Sequence, residues 1–165
     1  FIMLKRLLSV WIKDPISAVL KFEDRPYLLG ETIKIQVELS SRKEIDLSSA
    51  RIDLECEERW VDTYIKIEPL GRTGGMLGKG REIPGTVPKR EVQEYSNTFV
   101  HSTLEFSQDT RLVPGNPVRY DTSLLVENER PPHAGGGILE WHLVITGESE
   151  VPMILSRTPI QISLP

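Results

Sequence analysis

The chain has 165 residues, of which 39% are hydrophobic and 27% charged, and its formal net charge is −4. This length predicts one domain, and the composition is that of an ordinary globular protein. The negative net charge argues against nucleic acid as a partner, because nucleic-acid binding favours a basic surface.

A single cysteine, Cys56, rules out an intrachain disulfide and argues against a disulfide-stapled secreted domain. No apolar run approaches the ~18–20 residues that a membrane span needs. We therefore expect a protein of a reducing compartment, the cytoplasm, and contact with a membrane surface through residues 1–13 stays open as an alternative.

Residues 1–13 predict a short amphipathic helix, which Asp14-Pro15 would end. At a 3.6-residue period the basic residues fall on one side, and Leu4, Leu8 and Trp11 belong to the apolar side. This apolar side needs a cover, and three remain open: the rest of the domain, a second copy of the chain, or a membrane surface. The chain is thus divided into a helix, residues 1–14, and a domain, residues 15–165.

From residue 16 onward the hydrophobic period changes to two, which is typical of half-buried strands. The clearest strand is 32–39, in which apolar and polar residues alternate strictly. A second, 50–56, places Cys56 inward and runs on toward Tyr64 through Trp60. Further strands are predicted at 16–23, 91–106, 118–126, 138–146 and 159–164.

About seven or eight such strands, separated by turn residues and with no helix between them, predict an all-β fold. The half-polar pattern of each strand indicates antiparallel sheets with one wet face. The expected architecture is an antiparallel, immunoglobulin-like β-sandwich.

Residues 69–90 interrupt the alternation with a stretch rich in glycine and proline, which predicts a long loop. Its basic residues are candidate protein-binding residues, in a loop that orders on an acidic or phosphorylated partner: Arg72, Lys79, Arg81, Lys89 and Arg90. A nucleotide-binding loop is disfavoured, because the glycine spacing is one residue short and Gly80 stands where a hydroxyl should hold magnesium.

Residue types that carry catalysis or bind metals do not cluster in the sequence. His101, His133 and His142 are isolated, and His101 and His142 share the phase of polar, outward residues. Cys56 lies on the apolar phase, where a thiol is poorly reactive. No serine lies in a Gly-x-Ser-x-Gly elbow. We therefore expect no catalytic residues, no metal, no cofactor and no enzymatic activity.

The glycines at 135–137 precede a predicted strand, whereas glycines that cradle a phosphate follow a strand and open a helix. They are predicted to lead the backbone into the strand at 138–146 without a Cβ penalty. Trp141 then lies on the inward phase with Leu139 and Leu143.

Three stretches together resemble the arrestin-like family, which includes sporulation-control-type bacterial and archaeal proteins. Each is a turn followed by a strand: residues 26–39 (PYLLGETIKIQVEL), residues 112–126 (LVPGNPVRYDTSLLV) and residues 131–145 (PPHAGGGILEWHLVI). Their order and spacing agree with one arrestin-type sandwich over residues 16–165. Leu29 departs from the family pattern, since it replaces the proline of the first Pro-Gly turn.

The resemblance implies a non-catalytic scaffold or adaptor that binds a protein partner. The surfaces in question are an exposed strand edge, by β-augmentation, or the loop at 69–90. Two alternatives stay open: a membrane-peripheral domain anchored by residues 1–13, and a carbohydrate- or small-ligand-binding sandwich. The second alternative requires an exposed aromatic platform, for which Trp60, Tyr64 and Tyr95 are candidates.

Overall fold

The computed structural model describes residues 6–69, 86–132 and 137–165, and every regular element in these ranges is a β-strand. The strands are β1 (Arg6–Lys13), β2 (Ile16–Glu23), β3 (Tyr27–Leu28), β4 (Thr32–Ser41), β5 (Ile45–Pro69), β6 (Thr86–Leu112), β7 (Val118–Leu125), β8 (Ile138–Glu148), β9 (Pro152–Ile160) and β10 (Ile162–Ser163). The predicted all-β class is confirmed.

Two four-stranded antiparallel sheets form the sandwich. One has the order β1-β2-β4-β7 and the other the order β6-β5-β8-β9. A short parallel pair, β3 with β10, links the start of the domain to its end. The strands at 16–23 and 32–39 lie in the first sheet, and the strands at 50–56 and 138–146 lie in the second.

The core fills the space between the two sheets, and it is built from the residues that alternation placed inward. Ile33, Ile35, Val37 and Leu39 of β4 are buried, as are Ile52, Leu54 and Cys56 of β5 and Trp141 and Leu143 of β8. The polar residues between them face outward, because successive side chains of a strand point to opposite faces.

The predicted N-terminal helix is wrong: residues 6–13 form strand β1, and residues 1–5 lie outside the described part of the chain. β1 pairs with β2 through a turn at Asp14-Pro15, with Lys13 opposite Ile16. The apolar residues of this stretch fit a period of two as well as one of 3.6, a common ambiguity in short segments. Pairing decides the outcome, because β1 satisfies the backbone hydrogen bonds that β2 would otherwise leave at an open edge.

The long loop predicted at 69–90 is also corrected in part. Pro69 ends β5 and residues 86–90 belong to β6, so both strands reach further than their apolar alternation suggested. Residues 70–85 lie outside the described ranges. Near the C-terminus the strand predicted at 159–164 begins too late: the structure has β9 at Pro152–Ile160, followed by β10 at Ile162–Ser163.

The outward phase predicted for His101 is wrong, because the pairing of β5 with β6 shifts register between Leu54 and Glu55. Leu54 pairs with Ser102 and Glu55 with Val100, which leaves His101 as the extra residue of a β-bulge. Its ring lies edge-on against Trp141, with the ring centroids 5.1 Å apart. Its Nε2 is 2.8 Å from the carbonyl oxygen of Glu127.

Two turns of the arrestin-like resemblance have the backbone that glycine favours. Gly30 has a φ of +87° and Gly115 a φ of +81°, which is the left-handed region. The first turn is closed by Glu31, whose side chain accepts hydrogen bonds from the Leu28 N–H (2.7 Å) and from Arg25 (3.2 Å). The Leu28 hydrogen bond holds the pKa of Glu31 below its usual range.

Gly137 permits the close approach of the chain to β5 at the start of β8. A Cβ at this position would lie 2.5 Å from the carbonyl oxygen of Arg59 and 3.0 Å from Cγ of Glu58. We expect Gly137→Ala to lower the free energy of unfolding by about 1–3 kcal/mol, the usual cost of forcing an atom into packed structure. Urea unfolding followed by circular dichroism checks this. Ser123→Ala, on the exposed side of β7, serves as the control and should change the stability little.

Candidate functional site

The most prominent feature of the surface is a two-stranded arm formed by residues 60–69 of β5 and 86–95 of β6. The pairing of β5 with β8 ends at Arg59, which lies opposite Ile138. From Trp60 opposite Tyr95 to Pro69 opposite Thr86, β5 and β6 pair only with each other among the described residues. At a rise of about 3.3 Å per residue the arm extends roughly 30 Å beyond the four-stranded sheet.

One face of the arm, the aromatic face, carries Trp60, Tyr64, Lys66, Lys89, Glu91 and Tyr95, since cross-strand partners share a face. Trp60 and Tyr95 stack with ring centroids 5.6 Å apart and an interplanar angle of 16°. The Tyr64 hydroxyl donates a 2.6 Å hydrogen bond to Glu91. This hydrogen bond raises the pKa of Tyr64 and lowers that of Glu91.

The opposite face, the aliphatic face, carries Val61, Thr63, Ile65, Ile67, Arg90, Val92 and Glu94. Its four large apolar side chains are 56–66% exposed: Val61, Ile65, Ile67 and Val92. β-branched residues favour strands because they pack on a pleated surface. Here they form a pleated surface that no described residue of the sandwich covers.

Sequence reasoning missed the aliphatic face, although the alternation that reveals it is present. Val61, Thr63, Ile65 and Ile67 alternate with Asp62, Tyr64, Lys66 and Glu68. The glycines and prolines of 69–90 led to a loop prediction whose start overlapped the tip of this strand. A strand interpretation carried beyond Tyr64 would have found two apolar residues of this face, Ile65 and Ile67.

Of the predicted protein-binding residues, the structure describes two, and they lie on opposite faces of the arm. Lys89 lies on the aromatic face of the arm and Arg90 on the aliphatic face. Arg72, Lys79 and Arg81 lie outside the described residues.

The residues assigned to the N-terminal helix are placed differently by strand β1. Leu4 lies outside the described residues, and Leu8 is exposed on the outer side of β1 with Val10 and Ile12. Trp11 lies on the inner side and donates a 2.7 Å hydrogen bond to Ser9. Thr158 of β9 donates a 3.0 Å hydrogen bond to the same Ser9 hydroxyl, which ties β1 to the second sheet.

The aromatic platform required for a carbohydrate-binding sandwich is partly present. Tyr64 and Tyr95 are exposed and Trp60 is half-buried. Burial of all three would have counted against this alternative, and it is not observed. Trp60 and Tyr95 nevertheless use one ring face each on their mutual stacking.

A network of charged side chains covers the outer face of the second sheet. Arg157 of β9 lies 3.3 Å from Glu55 and 3.1 Å from Glu57, and Arg59 lies 3.0 Å from Glu57. His142, predicted to face solvent, lies on this face but is half-buried, with Nδ1 3.5 Å from Arg157. Among the described residues no group of His, Cys, Asp or Glu is arranged to hold a metal ion.

His142 gives the protein a pH dependence whose sign follows from its surroundings. Burial lowers the pKa of His142 below its ordinary value of 6.5, Arg157 lowers it further, and Glu140 and Glu57 act in the opposite direction. As the pH falls below about 6.5, the imidazole of His142 is therefore protonated more fully in the unfolded chain than in the folded chain. We expect stability to decline from pH 7.5 to pH 5, and we expect His142→Gln to make that decline shallower in urea unfolding. An identical pH profile for the two proteins would contradict this.

Cys56 is poorly placed to act as a nucleophile in this fold. It is buried between the sheets, and burial raises the pKa of its thiol to about 11. The thiolate, which is the reactive form, is scarce at neutral pH.

No helix among the described residues is long and apolar enough to cross a membrane. No family model matches this chain, and no curated protein matches it. Among solved structures, the chain is similar to the crystal structure of Spo0M, a sporulation control protein from Bacillus subtilis, with a TM-score of 0.54 and 12% sequence identity. The match covers 92% of this chain and 50% of that one, so the chain spans about half the length of the protein it resembles. At this identity the likeness shows the fold alone, and it supports an arrestin-like sandwich.

Proposed function

We propose that this chain is a non-catalytic protein-interaction module that binds a protein partner through its arm. The observation that carries the proposal is the aliphatic face, whose four large apolar side chains are more than half exposed. Contiguous apolar patches of this kind mark interaction surfaces. The arrestin-like likeness adds support, because the sandwich supplies a rigid base from which the arm projects.

The low stability expected of a two-stranded arm favours binding to a partner. An isolated two-stranded ribbon is marginally stable in water, and a third strand or a packed face is needed to stabilise it. Within the described part of the chain its two edges, along 60–69 and 86–95, pair with no further strand, so a partner strand can pair with their backbone groups. A partner that covers the aliphatic face or extends an edge would therefore stabilise the arm as it binds.

A photo-crosslinking amino acid at Ile65 tests this proposal in the cell that makes the protein. We expect a discrete protein adduct from Ile65 and none from the same group at Lys21, which is exposed on the other sheet. The adduct should disappear when Val92→Asp is added, since that change places a charge in the middle of the aliphatic face. Absence of any adduct from the arm would overturn the proposal.

Binding of a sugar or small ligand on the aromatic face is a second candidate function, and the partial exposure of Tyr64 and Tyr95 favours it. A ring of a sugar packs on an aromatic face and would change the fluorescence of Trp60. Titration of the tryptophan fluorescence with simple sugars, with Tyr95→Ala as the comparison, distinguishes this candidate from protein binding.

A further inference from the structure

The aliphatic face carries two opposite charges that are placed symmetrically about its centre. Thr63 and Val92 are opposite each other in the ladder and form the central pair. Two residues along β5 toward the sandwich, the next pair on this face is Val61 opposite Glu94. Two residues along β5 toward the tip of the arm, the next pair on this face is Ile65 opposite Arg90. Both charges are on β6 and both are exposed.

This symmetry is what a self-complementary contact requires, since in a two-fold interface the same patch meets itself. We propose that the partner of the arm is a second copy of this chain, with the two aliphatic faces packed against each other and their strands antiparallel. The proposal rests on the proposed function, because it names the partner for the same surface. The two-fold axis runs between the faces, across the strands, at the Thr63–Val92 pair.

The charges of Arg90 and Glu94 fit this arrangement and disfavour its neighbours. With the axis across the strands, Arg90 faces Glu94 of the second copy twice, and Val61 faces Ile65 of the second copy twice. With the axis along the strands, Arg90 would face Ile65 and would lose water without gaining a partner. If the axis moves two residues along the strands, to the Ile65–Arg90 pair, Arg90 faces Arg90 of the second copy, which is repulsive.

Arg59 is the cation next to Val61 on this side of β5, and it already forms two ion pairs. It lies 3.0 Å from Glu57 and 3.5 Å from Glu140. Glu94 lies within range of the Arg59 charge and, after Glu57 and Glu140, helps to raise the pKa of Arg59. No ion pair to Glu94 is formed among the described residues, however, and Arg90 of the second copy is placed to form one.

The size of the face sets the strength of the contact. With the axis at the Thr63–Val92 pair, the two arms overlap over residues 60–66, which at about 3.3 Å per residue is roughly 23 Å. A ribbon of this length and about 10 Å wide buries on the order of 450 Å² over both copies, which is below the ~1,200 Å² of stable interfaces. We therefore expect a weak, concentration-dependent dimer, which can be detected at micromolar to millimolar protein concentrations.

Sedimentation equilibrium of four proteins tests the proposal: the unchanged chain, Arg90→Glu, Glu94→Arg, and Lys89→Glu as the control. Lys89→Glu makes the same charge change one residue away on the aromatic face. The unchanged chain and Lys89→Glu should associate alike. Arg90→Glu and Glu94→Arg should each associate at least about tenfold more weakly than the unchanged chain, because both symmetric contacts then join like charges.

Mixing Arg90→Glu with Glu94→Arg gives the decisive result. In the mixed dimer the introduced carboxylate meets the introduced guanidinium, and native Glu94 meets native Arg90. We expect the mixture to associate as strongly as the unchanged chain, although neither component does so alone. All of these positions are exposed, so folding should not be affected, and circular dichroism verifies this.

A monomeric unchanged chain at every concentration overturns the dimer, as does a mixture that fails to recover association. The Ile65 crosslinks test the proposed function separately. Adducts with a second copy support both proposals. Adducts with a different protein alone support protein binding by the arm and overturn self-association, whereas no adduct overturns protein binding itself.

Discussion

Trp141→Ala is expected to lower the free energy of unfolding by about 3–5 kcal/mol, the usual cost of deleting a buried Trp side chain. Trp141 is 5% exposed and lies on β8, where its side chain enters the core between the sheets. The change also removes the edge-on ring contact with His101, whose centroid is 5.1 Å away. A domain of this size has a total stability of about 5–15 kcal/mol, so much of the population could unfold.

Chemical unfolding followed by circular dichroism measures this loss, and Trp11→Ala is the matched control. Trp11 is 40% exposed on the edge strand β1, so the same truncation there should cost about 1 kcal/mol or less. Similar costs at the two positions would show that Trp141 does not anchor the core.

Removal of the arm is expected to have the opposite signature, with binding lost and the fold retained. We would replace residues 61–94 by Asn-Gly, which closes β5 onto β6 in a two-residue hairpin at the Trp60–Tyr95 pair. None of the described residues in this segment belongs to the buried core. The free energy of unfolding should therefore change by no more than about 1 kcal/mol.

The shortened chain should also lose self-association in sedimentation equilibrium. A chain with the full-length arm that carries Lys89→Glu serves as the comparison, because its aliphatic face is intact. Two results would contradict the prediction: a shortened chain that fails to fold, and a shortened chain that still associates.

The core strands could be predicted from the sequence because their burial follows from alternation alone. In β4 every second residue from Ile33 to Leu39 is apolar, and all of these residues are buried. The turns at Gly30 and Gly115 could be located for a similarly local reason, since a positive φ favours glycine.

The candidate site could be predicted only in part. Lys89 and Arg90 were selected as basic residues of a loop, and they turned out to lie on a strand with their side chains on opposite faces. Trp60, Tyr64 and Tyr95 were selected as a platform, and the structure adds that Trp60 and Tyr95 stack on each other. The aliphatic face was missed, because exposure of apolar side chains depends on whether another element covers them.

The sequence by itself determined the all-β class, the inward phase of the central strands and the positions of the glycine turns, all of which depend on residues close together in the chain. Tertiary structure alone decided the rest. Residues 6–13 are a strand because β2 offers them a hydrogen-bonding edge, and His101 faces Trp141 because a bulge against β5 reverses its phase. Among the described residues no third strand lies beside the arm, because β8 pairs with β5 no further than Arg59. Each of these outcomes depends on how one strand pairs with another, which the periodicity within a single segment does not encode.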